Sequence, residues 1–241
     1  MTQVAAEPIT LSNCDREPIH IPGATQPYGA LLAFTPGFDR LLRHSANAET
    51  ILNGPVANGD DAAALLGGLL CDQIRATLDD GAATRRPVLI FDMPLPTGLH
   101  ADIAVHSAQA GILVEVEPAR GGSAPLQLTR QMMDRITGID MTAPLVGTVA
   151  ATVRRTLGYD RVMVYEFARD GSGKVVAEEK ADHLESFLGQ HFPASDIPAQ
   201  ARALYLRNTI RVISDASGDR VPLERIVADQ HFTQPPPRFT E

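Results

Sequence analysis

Phe187–Tyr205 reads FLGQHFPASDIPAQARALY, and this stretch decides how the rest of the chain is read. Pro193 steers His191 and Phe192 toward an extended path, because a residue before proline avoids the α region. Ser195 or Asp196 can cap a following helix, and Pro198 suits its first turn, where a missing N–H costs nothing. Ala199–Arg207 has the composition of a helix, with Ile197, Ala201 and Leu204 on one side and Arg202 and Tyr205 on the neighbouring face. Such a joint presents backbone groups, a carboxylate and a phenol to whatever lies beside it. An ordinary capped helix accounts for the same residues.

Working outward, the 241 residues suffice for one large domain or two of ordinary size. Hydrophobic residues at 44% and charged residues at 21% are those of a globular protein. A net charge of −8, with no Lys/Arg block, argues against nucleic acid or an anionic membrane as partner. The longest apolar run, Leu65–Cys71, falls far short of the ~18 residues that span a bilayer. MTQVAAEPIT has neither a charged n-region nor an apolar h-region, so a cytoplasmic location is expected. Cys14 and Cys71 stand in unlike contexts without metal-ligand spacing, and Cys71 in LLGGLLCDQI reads as inert and buried. His20, His183 and His191 also lack metal spacing.

In chain order, residues 1–13 read as an arm, and Pro18, Pro22 and Pro27 keep DREPIHIPGATQPYG extended. Tyr28–Thr35 is an expected strand, with Leu32 and Phe34 opposite Leu31 and Ala33, followed by a turn at Pro36-Gly37 and a partner strand over Asp39–Ser45. Asp60–Leu70 is an expected helix capped by Asp60 or Asp61, with a further helical turn at Ile74–Leu78. Pro87–Met93, Leu99–Ser107 and Gly111–Glu117 read as a three-strand meander. Arg120–Pro125 is the best linker. Leu126–Ile139 and Ala143–Gly158 read as amphipathic helices, the second carrying Leu145, Val149, Val153 and Leu157 along one face. Arg161–Phe167 alternates, placing Met163, Tyr165 and Phe167 together; Asp170–Gly173 is a hairpin turn into Lys174–Glu179, and Thr209–Asp215 is an expected strand.

FPASDIPAQARALY resembles the chromophore-pocket signature of phytochromes, specifically the bacterial ones that carry biliverdin. GYDRVMVYEF and Cys14 followed by DREPIHIPGATQPYG are similar to two further blocks of that family, in the same order. The resemblance implies an α+β chain: a PAS domain over 1–120 whose arm carries Cys14, a linker at 121–125, and a GAF domain over 126–241. Each domain is expected to be an antiparallel sheet with flanking helices.

The resemblance further implies red/far-red light sensing through covalently held biliverdin. Cys14 would form a thioether to the A-ring vinyl group, and Asp196 would lie beside the pyrrole nitrogens within the Asp196-Ile197-Pro198 turn. Met163, Tyr165, Phe192 and Tyr205 would wall the pocket, and Arg211 would clamp a propionate. For the aromatics and Met163, plain core packing explains the same pattern. Thr25 and Tyr28 depart from the isoleucine and histidine usual in the family's arm. After VPLER the match ceases, so the GAF domain is expected to be truncated, the family's knot to stay open, and biliverdin binding to be heterogeneous. Neither a kinase output module nor enzyme activity is expected of this chain; the partners considered are the bilin, a homodimer and a separate downstream module. The alternative is a PAS/GAF interaction module that no longer binds bilin efficiently.

Overall fold

The structure, a computed structural model, describes residues 23–108, 111–119, 125–206 and 210–223. Cys14 and its arm lie outside the described residues. The chain divides into two compact units, Met1–Arg120 together with Ala203–Glu241, and Gly121–Arg202.

In the first unit, β1 (Ala24–Thr25) is followed by β2 (Ala30–Phe34), β3 (Leu41–His44), four helices, and the meander β4 (Val88–Pro94), β5 (His100–Ala108) and β6 (Gly111–Pro118). The sheet is antiparallel, ordered β3-β2-β6-β5-β4, because β6 returns to pair with β2 from Ala30↔Val116 to Phe34↔Ile112. Strand alternation divides it into two faces, as the sequence pattern anticipates. Ala30, Leu32, Phe34, Ile103, Val105, Ile112, Val114 and Val116 face the main core. Leu31, Ala33 and Leu113 form a second cluster, against which Leu223 packs. The fully buried Glu115 stands 2.5 Å from His106 Nε2. Gly111 begins β6 because its backbone meets β2 so closely that a Cβ would stand 2.1 Å from the Phe34 carbonyl oxygen.

The helices are α1 (Ala48–Leu52), α2 (Ala62–Leu66), α3 (Gly68–Asp79) and α4 (Ala82–Arg85). Asp61 caps α2 as expected, its carboxylate accepting from the N–H groups of Ala63 and Ala64. The single helix expected over Asp60–Leu70 instead breaks at Gly67, and Ile74–Leu78 belongs to the long α3. The break follows from Gly67 at φ +83°, a conformation that ends one helix and lets the next start at an angle. Helix α3 buries Leu70, Cys71 and Ile74. Burial pushes the Cys71 thiol up, in keeping with an inert cysteine.

Thr209–Asp215 does not form the expected strand over its described residues, 210–215. Gln26 takes the place of a strand partner. Its amide donates to Val212 O at 2.5 Å and accepts from Ser214 N at 2.7 Å and Ser214 Oγ at 3.1 Å. Val221–Pro222 then pairs antiparallel with β1, and Ser45 bridges Leu223, a return segment that the sequence pattern did not reveal. Val212 O and Ser214 N are thus satisfied by a side chain, and Val221–Pro222 by a two-residue pairing, rather than by a longer ladder.

The second unit carries α5 (Pro125–Ile136) and α6 (Thr142–Leu157), which pack together, with α6 lying on β7 (Arg161–Phe167) and β8 (Gly173–Lys180). Gly158 ends α6 in the left-handed region, as read. The stripe from Leu145 to Leu157 is not the most deeply buried part of α6. Ala150 and Thr152 are buried while Leu157 is largely exposed, so the deepest part of the helix is lined by small residues.

Two neighbouring residues predict opposite outcomes. Thr25 is 2% exposed and its hydroxyl finds no partner among the described residues, whereas Gln26, 3% exposed, makes three hydrogen bonds. Thr25→Val should therefore stabilise the protein by about 1 kcal/mol, and Gln26→Leu should destabilise it by about 2 kcal/mol. Urea midpoints of the two variants check the signs.

Candidate functional site

The sheet of the second unit is ordered β7-β8-β9, with β9 a two-residue strand, His191–Phe192. The β7–β8 hairpin turns where expected. The Asp170 carboxylate accepts from Ser172 N at 2.9 Å and Ser172 Oγ at 2.6 Å, and these bonds hold it below the usual carboxylate range. Residues paired across strands share a face, so the register Met163↔Glu178, Tyr165↔Val175, Phe167↔Gly173 and Gly173↔Phe192 defines what this face carries. The ladder slips by one residue on β8 between Val164 and Tyr165, which leaves Val176 unpaired without disturbing the alternation along β7.

Three rings meet on this face. Tyr165 packs edge-on against Phe167 with centroids 5.0 Å apart, and tilted against Phe192 at 5.9 Å. The Tyr165 ring covers Gly173, where a Cβ would come within 2.0 Å of a ring carbon. The glycine is the floor on which the tyrosine lies. Met163 projects from the same strand and is 42% exposed, and Phe167 is comparably open. The expected pair Tyr165 and Phe192 is thus brought together, and Phe167 joins it.

Past Phe192 the chain turns at Pro193–Asp196, with Asp196 N donating to Pro193 O at 3.1 Å, and enters α7 (Ala199–Tyr205). The expected side-chain cap from Ser195 or Asp196 does not form. Instead Arg202 Nη1 donates to Ala194 O at 3.0 Å and to Ile197 O. The guanidinium fork reaches back from inside the helix and fixes the turn through its carbonyls, while the Asp196 carboxylate stays in solvent. The Asp196 carboxylate is exposed and has no hydrogen-bond partner among the described residues, while Ile197 and Pro198 are half-buried. Tyr205 ends α7 and Arg211 lies in the irregular segment after it; both are exposed and group with the first unit. Among the described residues no group of three His, Cys, Asp or Glu could hold a metal.

Sequence reasoning missed Glu178, which organises the 181–190 loop. Its side chain is 2% exposed and stands 3.2 Å from Arg161 Nε. It accepts from Ser186 Oγ at 2.5 Å, Phe187 N at 3.0 Å and Leu188 N at 3.2 Å. The Arg161 guanidinium lies over the Phe187 ring, 4.1 Å from its centroid, and also donates to Glu185 O. The Ser186 hydroxyl bond, with help from the two N–H groups and Arg161, holds the Glu178 carboxyl below its usual range against the opposing effect of burial. An alternating glutamate–glutamate pair on a strand carries no sequence signal of this kind.

Similarity to known proteins was found over the same regions. Residues 14–119 match a family model described as a PAS fold. A bacteriophytochrome of Xanthomonas campestris pv. campestris is 37% identical over 233 residues, which is 94% of this chain and 36% of that protein. A bacteriophytochrome of Pseudomonas aeruginosa is 37% identical over 215 residues, covering 87% of this chain and 29% of its own length. The chain spans about a third of the length of these curated relatives. Among solved structures, a mutant of the chromophore-binding domain of Stigmatella aurantiaca bacteriophytochrome in the Pr state superimposes with a TM-score of 0.80. It is 28% identical, with 95% of this chain and 78% of that one covered.

Two outcomes follow from this geometry. Gly173→Ala should displace the Tyr165 ring, costing about 1–3 kcal/mol as overpacking does and changing the near-ultraviolet circular dichroism. The second outcome concerns acid. A carboxyl whose folded pKa is lowered contributes stability above its ordinary value of 4.5 and loses it as pH falls through the folded value. Urea midpoints should therefore fall with acidification below that value, with a shallower slope in Glu178→Gln.

Proposed function

This chain belongs to the phytochrome family, and from that premise we propose that it senses red and far-red light through a covalently attached bilin, biliverdin. The observation that carries the proposal is the ring cluster of Tyr165, Phe167 and Phe192 on one sheet face, followed at once by the Asp196-Ile197-Pro198 turn. The residues present fit such a group. Exposed Met163 and Phe167 leave apolar surface for a flat conjugated ligand to cover, and Asp196 offers a carboxylate without a partner among the described residues.

Bound biliverdin supplies light absorption and isomerisation of its 15,16 double bond. The chain's own residues hold and orient it. The Cys14 thiolate would add to the A-ring vinyl group, forming a C–S bond as the C=C π bond opens and the other vinyl carbon takes a proton. Met163, Tyr165, Phe192 and Tyr205 would pack against the conjugated system, and Asp196 would accept from pyrrole N–H groups or relay their protons. Arg211, exposed and fork-shaped, would pair with a propionate. Arg202 holds the carbonyls on either side of Asp196, so the turn is set before any ligand arrives. The proposal places the chain in the cytoplasm with signalling output passed to another module. No helix among the described residues is long and apolar enough to cross a membrane.

Mixing the purified chain with biliverdin, denaturing it and reading zinc-induced bilin fluorescence on a gel tests the attachment. Fluorescence should persist in Cys71→Ala and vanish in Cys14→Ala, and Asp196→Ala should shift or broaden the red absorption band with little change in thermal midpoint. A wild-type chain that retains no bilin would instead favour a PAS/GAF interaction module.

A further inference from the structure

The two-residue strand β9 cannot specify its own register. A ladder of Lys174↔His191 and Gly173↔Phe192 supplies few bonds, and a slip by one residue would turn Phe192 to the opposite face. Register must come from what precedes it. Leu188 N is held by Glu178; Gly189 N then donates to Val175 O at 2.9 Å, and Val175 N to Gln190 O at 3.1 Å. From the carboxylate to Phe192 the chain has no slack.

We propose that Glu178 is a positioning residue which fixes the register of β9 and thereby turns Phe192 toward Tyr165 and the bilin face. The claim about the ligand rests on the function proposed above; the claim about register does not. The Ser186 hydroxyl and the N–H groups of Phe187 and Leu188 form an anion cradle, and β8 fills it with its own carboxylate rather than a free ion. Arg161 closes the cradle from β7 and stacks on Phe187, so the loop is gripped by both strands of the hairpin. Ser186 adds an internal brace, its carbonyl accepting from Gln190 Nε2 at 3.3 Å. A glutamate in the interior of a strand thereby acts on an aromatic residue it does not touch.

The chain contains no tryptophan, so Phe192→Trp introduces a single indole, excited selectively over the tyrosines, at the position in question. In that background Glu178→Ala should shift the emission to longer wavelength as the ring leaves its neighbours, and millimolar formate, which fits the vacated cradle, should restore it. Glu179→Ala, on the exposed neighbour, should leave the emission unmoved. In the Cys14→Ala chain with Phe192 intact, where uptake is reversible, Glu178→Ala should weaken biliverdin retention by roughly tenfold, equivalent to about 1.4 kcal/mol, with recovery in formate. Should Glu178→Ala not fold, Ser186→Ala removes one donor without vacating a charge and should give a smaller shift of the same sign. Unmoved emission in Glu178→Ala would overturn the register claim. Shifted emission with unaltered biliverdin retention would overturn its link to the ligand. A wild-type chain that takes up no biliverdin would defeat the functional reading alone, since the fluorescence still decides the register.

Discussion

Main-chain groups that leave a helix or ladder must still be hydrogen-bonded, and in this chain three long side chains supply the partners. Gln26 serves Val212 and Ser214, Glu178 serves Phe187 and Leu188, and Arg202 serves Ala194 and Ile197. Each reaches across many residues to an irregular segment and holds it against regular structure. Loss of one would strand several backbone groups at once, which costs more than a single side-chain hydrogen bond contributes. Irregular segments in such a fold are consequently set by a handful of side chains.

The first unit shows how little else is needed. Its five-stranded sheet closes on a single apolar face, and its second face carries the small cluster of Leu31, Ala33 and Leu113 beside a buried glutamate. Glu115 is tolerated there because His106 stands at hydrogen-bonding distance. The return of Val221–Pro222 to β1 ties the far end of the described chain to its beginning. Thr25 sits in that tie with an unpartnered hydroxyl among the described residues, so the position accepts a polar group that it does not use.

In the second unit the aromatic face and the signature turn are built separately and then joined. Gly173 gives Tyr165 a flat seat, the hairpin turn at Asp170 sets where β8 starts, and the loop held by Glu178 delivers Phe192 opposite Gly173. Arg202 then shapes the Asp196 turn from within α7. A ligand arriving at this face would meet rings and backbone already in position, so less of its binding energy would go into ordering them.

Much of this was legible in the residues themselves. The alternation of Leu31 to Phe34, the hairpin at Asp170, the cap at Asp61, the helix stop at Gly158 and the proximity of Tyr165 to Phe192 follow from local rules or from the family pattern. Local physics covers them because each depends on neighbours in sequence or on one strand period. The break at Gly67 was missed because a glycine within a helical composition can end the helix or pass unnoticed, and only the packing of α3 against the sheet chooses. The expected strand at Thr209–Asp215 failed because an apolar alternation cannot show that the partner will be the amide of Gln26, far away in the chain. The expected cap at Asp196 failed for a similar reason: the turn is held through its Ala194 and Ile197 carbonyls by Arg202, a partner that no local pattern announces. Sequence therefore determined which segments would be helix, strand or turn wherever the deciding contact was near along the chain. The tertiary structure alone decided where Gln26, Glu178 and Arg202 would be used, because a long polar side chain carries no periodicity and declares its partner only when the chain has brought one within reach.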